Sequence, residues 1–274
     1  MIQQTQLRGV FSAVLTPFDS EYVPDASKAV PYYRSLLQGG CNGLNVLGTT
    51  GEAMSVGVRR RLAFMEGIAA ALPRERLMCG TGASALDDAV QLTRGAFELG
   101  FAAALIIPPF YYREASDDGV VRFFDALFER TQPAPRSVLL YNFPRMSGIT
   151  FHADLVDRLM REFPGVIRGM KDSSNTLDLE REILRRHPDL EIFPGSEVLL
   201  ADARRDGFAG CISGSVCLWP QLATRVWSEG APVDAQRIVE LRQSLSGAPL
   251  IEAVRSRVAG ETGDSSWLRS APPL

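Results

Sequence analysis

The positive charge of this chain is carried almost wholly by arginine: Lys and Arg total 29, and only Lys28 and Lys171 are lysines. Lys171 closes the apolar run VIRGMK and is followed by DSS. Arginine cannot be deprotonated in a protein, whereas a desolvated lysine amine can act as a nucleophile and form an imine with a carbonyl. Making half of such an amine neutral at pH 7 takes a shift of about 3 pKa units, or about 4 kcal/mol, which requires a dry site. An isolated lysine is more often a surface charge, so the company Lys171 keeps decides between the two readings.

That company consists of short polar stretches at the ends of strand-like apolar runs: GTTGE (48–52), PPFYY (108–112), YNFP (141–144), MKDSS (170–174), PGSE (194–197) and ISGS (212–215). The successive backbone amides of GTTGE, at a turn leading toward a helix, can hold a carboxylate without a cation. The stretch lacks the Gly-Lys-Ser/Thr of a P-loop. Two histidines, His152 and His187, sit near expected helix ends, and four cysteines, Cys41, Cys79, Cys211 and Cys217, form no CxxC pair. They read as surface imidazoles and buried free thiols, so neither a metal nor a cofactor is expected.

Eight apolar runs of strand length recur at 10–16, 43–48, 76–81, 103–108, 137–143, 166–171, 190–193 and 210–216, separated by segments with helical spacing. In 84–99, Leu86, Ala89, Val90, Thr93, Ala96 and Phe97 share one face, Ser84 and Asp87 have capping-box spacing, and Gly100 ends the helix. Segment 116–130 follows the same plan behind Ser116. Eight such units in a chain near ~250 residues predict an α/β fold, a TIM (β/α)8 barrel with additional C-terminal helices. The barrel is expected over 1–217, and helices at 218–229, 233–246 and 250–259 should pack on its outside or join a subunit interface. An open doubly wound sheet is disfavoured because the first βα turn carries no GxGxxG.

A net charge of −3 offers no basic surface for nucleic acid. The start MIQQTQLRGVF has no basic segment leading into a long apolar one, and no apolar stretch reaches membrane-spanning length, so a cytoplasmic protein without a membrane partner is expected.

In order and spacing, GTTGE, YNFP followed by Gly148, and the lysine of GMKDSS resemble the pyruvate-dependent class I aldolases that include dihydrodipicolinate synthase and N-acetylneuraminate lyase. The AVLTPF start and the WLRSAPPL tail extend the resemblance over nearly the whole chain. It implies that Lys171 attacks the ketone of pyruvate or another 2-oxo acid, and that carbon–carbon bond formation or cleavage with an aldehyde proceeds through an enamine. It further implies that Tyr141 shuttles protons, that Thr49 is its relay hydroxyl, and that Tyr112 reaches into a neighbouring subunit of a homodimer or homotetramer. Tyr111 and Tyr112 could equally be an aromatic pair filling an interface. Gly48 and Thr50 would hold the carboxylate.

For the second substrate the motifs diverge. Dihydrodipicolinate synthases carry an arginine two residues after the proline of YNxP; that position here is Met146, with Arg145 one residue early. On an extended segment a one-residue shift reverses the side-chain direction. Ser147 with Gly148 resembles the sugar-acid branches, as does KDSS. Ser173, Ser174, Ser196, Glu197 and Ser213 are therefore expected to supply a hydroxyl-rich acceptor pocket, with Ser147 and Ile212 also expected to bind substrate, and the favoured product is a 2-keto-3-deoxy sugar acid or related 4-hydroxy-2-oxo acid. A dihydrodipicolinate synthase with a displaced arginine is the alternative, and a catalytically silent 2-oxo-acid-binding member is the third reading.

Overall fold

In the computed structural model, which describes residues 6–274, the eight expected runs form eight parallel strands. They are β1 (Gly9–Ala13), β2 (Gly43–Val46), β3 (Leu77–Gly80), β4 (Ala103–Ile106), β5 (Val138–Asn142), β6 (Ile167–Asp172), β7 (Glu191–Pro194) and β8 (Gly210–Ser213). Residues 1–5 of the N-terminal stretch read above lie outside the described part. The ladder order is β7-β6-β5-β4-β3-β2-β1-β8. Between β7 and β8 the ring is drawn together by the Ala209 N–H, which donates to the Ile192 carbonyl at 2.9 Å.

Period-two alternation divides the strands' side chains between two cores. Phe11, Met78, Leu105, Leu139, Phe193 and Ile212 fill the barrel interior, where Phe11 meets Phe193 edge to face with centroids 5.6 Å apart. Val10, Leu44, Val46, Leu140, Met170 and Ile192 face outward and pack under the helices. Those helices are α1 (Ala26–Gln38), α2 (Val58–Ala71), α3 (Leu86–Glu98), α4 (Asp117–Thr131), the one-turn α5 (Pro144–Ser147), α6 (Ala153–Glu162), α7 (Leu177–Arg186) and α8 (Leu200–Arg205).

The helix ends test the capping expectations. Ser116 caps α4 by accepting from the Gly119 N–H at 3.2 Å. For α3 the structure corrects the expectation: the helix starts at Leu86 with Ala85 at its N-cap and no side-chain cap bond. The capping box of Ser84 and Asp87 does not form, because the chain enters the helix one residue late. Gly100 ends α3 with φ +79, a conformation glycine adopts without Cβ strain.

Three further helices follow the barrel: α9 (Pro220–Glu229), α10 (Pro232–Gln243) and α11 (Leu250–Thr262). α9 packs on β1 and α8, α10 packs on α9, and α11 packs against the 3-10 turns at Ser215–Leu218 and Ser265–Leu268. All four cysteines are free and buried, and burial pushes the thiols of Cys41 and Cys79 up to about 12. They are held protonated and inert. No helix among the described residues is long and apolar enough to cross a membrane.

Candidate active site

Lys171 and Tyr141 are register partners on adjacent strands, so both side chains enter the barrel at the same height. Lys171 is only 5% exposed. Its Nζ lies 3.5 Å from the Tyr141 hydroxyl and 4.5 Å from the centre of that ring. Among the described residues no carboxylate lies within ion-pairing reach of it. Lys28, by contrast, is a partly exposed surface charge paired with Asp264 at 3.2 Å. Of the two lysines, only Lys171 has the buried, counter-ion-free setting that imine chemistry requires.

The chain of polar contacts continues to Thr49, whose hydroxyl is 3.2 Å from that of Tyr141. Thr50 is buried beside β8: a Cβ on Gly214 would come within 2.6 Å of its hydroxyl, so that position must stay bare. The amides of Thr49 and Thr50 donate to no protein acceptor among the described residues, as an anion cradle requires.

The turn that presents these amides is strained. Leu47 and Glu52, which bracket Gly48 to Gly51, both have φ of 54, a left-handed conformation costing about 1–2 kcal/mol for a non-glycine residue. Glu52 is fully buried and holds the turn closed from below. It accepts from Arg255 Nε at 2.7 Å and from the Ala271 N–H at 2.8 Å, while Arg255 also donates to the carbonyls of Thr16 and Trp267, each at 2.9 Å. The last residue of GTTGE thus ties the site to α11 and the C-terminal segment, a role the sequence analysis did not foresee.

A second clamp lies one residue beyond the reactive pair. Asn142 and Asp172, also in register, point away from the barrel axis, and the Asn142 amide donates to Asp172 at 2.5 Å. Ser174 adds its N–H at 3.2 Å and its hydroxyl at 2.7 Å, and Asn142 in turn accepts from the Phe151 N–H at 3.0 Å. This cluster fixes the strand ends that carry Tyr141 and Lys171, and it gives the second serine of KDSS, Ser174, a structural task. Behind it sits Glu180, whose two oxygens are buried where no donor reaches them. Burial first, and then the charge of Asp172, push its carboxyl up to about 9. Asn45, inward-facing on β2, is a further polar group with both amide atoms buried and unpartnered. Its one available signal was an asparagine inside an apolar run.

The expected acceptor-pocket residues are differently employed. Ser147 is fully buried, donates to the carbonyls of Phe143 and Ile149, and accepts from the Ile149 N–H at 3.1 Å, stapling its own turn. Ser213 and Ser215 both donate to Glu197, and Arg242 donates to Ser215. Ser196 accepts from the Val198 N–H at 3.4 Å. Ser173 packs against Gly195, and Ile212 belongs to the barrel interior. A cavity of about 310 Å³ opens beside Gly48, Thr49 and Tyr141, and none of Ser147, Ser173, Ser196, Glu197, Ile212 and Ser213 lines it. Met146 does line it, whereas Arg145 does not. Tyr112 is 76% exposed and packs edge to face on Tyr111, outside that wall.

An (β/α)8 barrel that buries a strand-six amine against a phenol–hydroxyl relay defines an aldolase-class lyase, and comparison with known proteins agrees. The profile described as the Dihydrodipicolinate synthetase family matches residues 6–259. A DapA-like lyase of Chloroflexus aurantiacus is 37% identical over 221 residues, covering 80% of this chain and 74% of the relative. An N-acetylneuraminate lyase of Escherichia coli is 30% identical over 212 residues, covering 77% and 70%. The crystal structure of dihydrodipicolinate synthase from Agrobacterium tumefaciens superposes with a TM-score of 0.90 at 34% identity, covering 97% of this chain and 92% of that one. The chain belongs to the dihydrodipicolinate synthetase family.

Proposed function

We propose that the protein joins pyruvate to an aldehyde, or runs the reverse cleavage, through an imine on Lys171. The observation that carries this reading is the buried amine, without a counter-ion, 3.5 Å from the Tyr141 hydroxyl. The neutral amine adds to the keto carbon of pyruvate, and a proton from Tyr141 lets the resulting carbinol hydroxyl leave as water, giving a protonated imine. Loss of a methyl proton to the Tyr141 oxygen gives an enamine, whose carbon attacks the aldehyde carbonyl. The aldehyde oxygen takes a proton from Tyr141, and water then releases a 4-hydroxy-2-oxo acid and restores the amine. A 2-keto-3-deoxy sugar acid is the hydroxylated case of that product class.

The amides of Thr49 and Thr50, with the Thr50 hydroxyl, hold the pyruvate carboxylate, and Gly48 lets the turn approach it. Thr49 relays protons to and from Tyr141 along the 3.2 Å contact between their hydroxyls. Tyr112, exposed on the loop after β4, reaches into the same relay in a neighbouring copy, so the working unit is at least a dimer. Met146 at the place where a synthase carries arginine supports an acceptor other than aspartate semialdehyde.

The half-reaction tests this without knowledge of the aldehyde. Pyruvate in deuterated buffer should lose its methyl proton signal by NMR in the presence of the protein, and not with Lys171→Arg. Exchange that survives in that variant, or no exchange with the unaltered protein, rejects the imine.

A further inference from the structure

The cavity meets the site at Gly48, Thr49 and Tyr141; Lys171 and Thr50 do not line it, and Tyr141, whose hydroxyl is 3.5 Å from Lys171 Nζ, is what joins it to the amine. Once past Thr49 and Tyr141, its wall is built by Met54, Ile107, Phe110, Met146, Ile251 and Leu274. Among the described residues no lysine, arginine or histidine contributes to it. Its one side-chain carboxylate among the described residues, Glu52, is closed off by Arg255 and the Ala271 N–H. Ser55 is the only other hydroxyl outside the relay. Of the serines that could have served a polyol, Ser147 and Ser196 are bonded within their own turns, Ser213 to Glu197 and Ser174 to Asp172, while Ser173 packs against Gly195.

We infer that this wall is the acceptor subsite and that it selects an aldehyde with an apolar alkyl or aryl group. The inference rests on the imine reading of Lys171 and deepens it. A carboxylate or phosphate on the acceptor would enter the cavity without a cation to replace its water. Each hydroxyl of a sugar-like aldehyde would likewise lose water for an apolar wall. An alkyl or aryl group gains from the same transfer, because Met54, Phe110 and Met146 offer polarizable, adaptable surface. At about 310 Å³ the space lies at the lower end of the ~300–1,000 Å³ typical of ligand pockets, which suits a compact substituent. The reaction balances as a simple aldol: the enamine carbon bonds to the aldehyde carbon, the aldehyde oxygen is protonated, and the apolar group stays unchanged in the cavity.

The test is kcat/KM for a panel of aldehydes with saturating pyruvate, run on the batch used for deuterium exchange. Along ethanal, propanal, butanal and pentanal the value should climb about fourfold per methylene until the cavity is filled. Pentanal and benzaldehyde should exceed glyceraldehyde and aspartate semialdehyde by about tenfold to a hundredfold. A flat or falling series, or a preference for glyceraldehyde or aspartate semialdehyde, overturns the inference while positive exchange leaves the imine standing. Absent exchange removes both. Met146→Arg, at a side chain already 45% exposed, should flatten the alkyl series and raise turnover of succinic semialdehyde. An unchanged order in that variant removes Met146 from the acceptor wall and overturns the assignment.

Discussion

Replacing Glu180 by glutamine should stabilise the protein at alkaline pH and leave it nearly unchanged at acid pH. Glu180 is 1% exposed on α7, no donor reaches its oxygens, and it faces Asp172. Burial is the main cause raising its carboxyl from the ordinary 4.5 to about 9, and the Asp172 charge and a hydrogen bond from the protonated carboxyl to Asp172 add to it; Arg181 opposes the rise and Asp206 reinforces it. Burial raises Asp172 as well. Between pH 4.5 and 9 the folded chain keeps a proton that the unfolded chain releases. Stability therefore falls as pH rises through that window, by at most about 1.4 kcal/mol per unit. The full span sets a ceiling of about 6 kcal/mol, and relaxation around the charged form brings the expected loss by pH 8 to about 2–4 kcal/mol. Glutamine keeps the shape and removes the titration. Urea unfolding at pH 5, 6.5 and 8 should show the two proteins within about 1 kcal/mol at pH 5 and the variant ahead by about 2–4 kcal/mol at pH 8. Parallel profiles, or a variant weaker at pH 8, would refute a proton held on Glu180.

Two other substitutions probe the site's supports. Glu52→Ala leaves Arg255 buried without its carboxylate and the Ala271 N–H without an acceptor, and should cost about 3–5 kcal/mol in chemical denaturation. It should also raise KM for pyruvate as the GTTGE turn loosens, whereas a loss below about 1 kcal/mol would mean the pair does not hold the turn. Tyr141→Phe keeps the ring beside the amine but removes the hydroxyl that Thr49 contacts, and should lower kcat about 10²–10⁴-fold with the fold intact by circular dichroism. Near-normal turnover would assign the proton transfer elsewhere.

The barrel was legible because each strand is a short apolar run bounded by turn residues, and Lys171, Tyr141 and Thr49 could be placed together once strands five and six were taken as neighbours. What escaped depended on partners distant in sequence. Glu52 meets Arg255 across 203 residues, and neither local pattern marks the pair. Hydroxyl composition around the barrel mouth suggested a polar pocket, yet Ser147 and Ser213 are satisfied by their own turn and by Glu197, while methionines and the side chains of Ile251 and Leu274 reach the cavity from separate parts of the chain. Residue type announces a hydroxyl, and only packing says what it bonds. The Ser84 capping spacing failed as well, since α3 starts at Leu86 with Ala85 at its N-cap.

Borohydride reduction in the presence of pyruvate addresses the central claim most directly. Intact mass and peptide mapping should find one carboxyethyl group per chain, dependent on pyruvate and located on Lys171. A group on Lys28, or a chain left unmodified, would contradict the account.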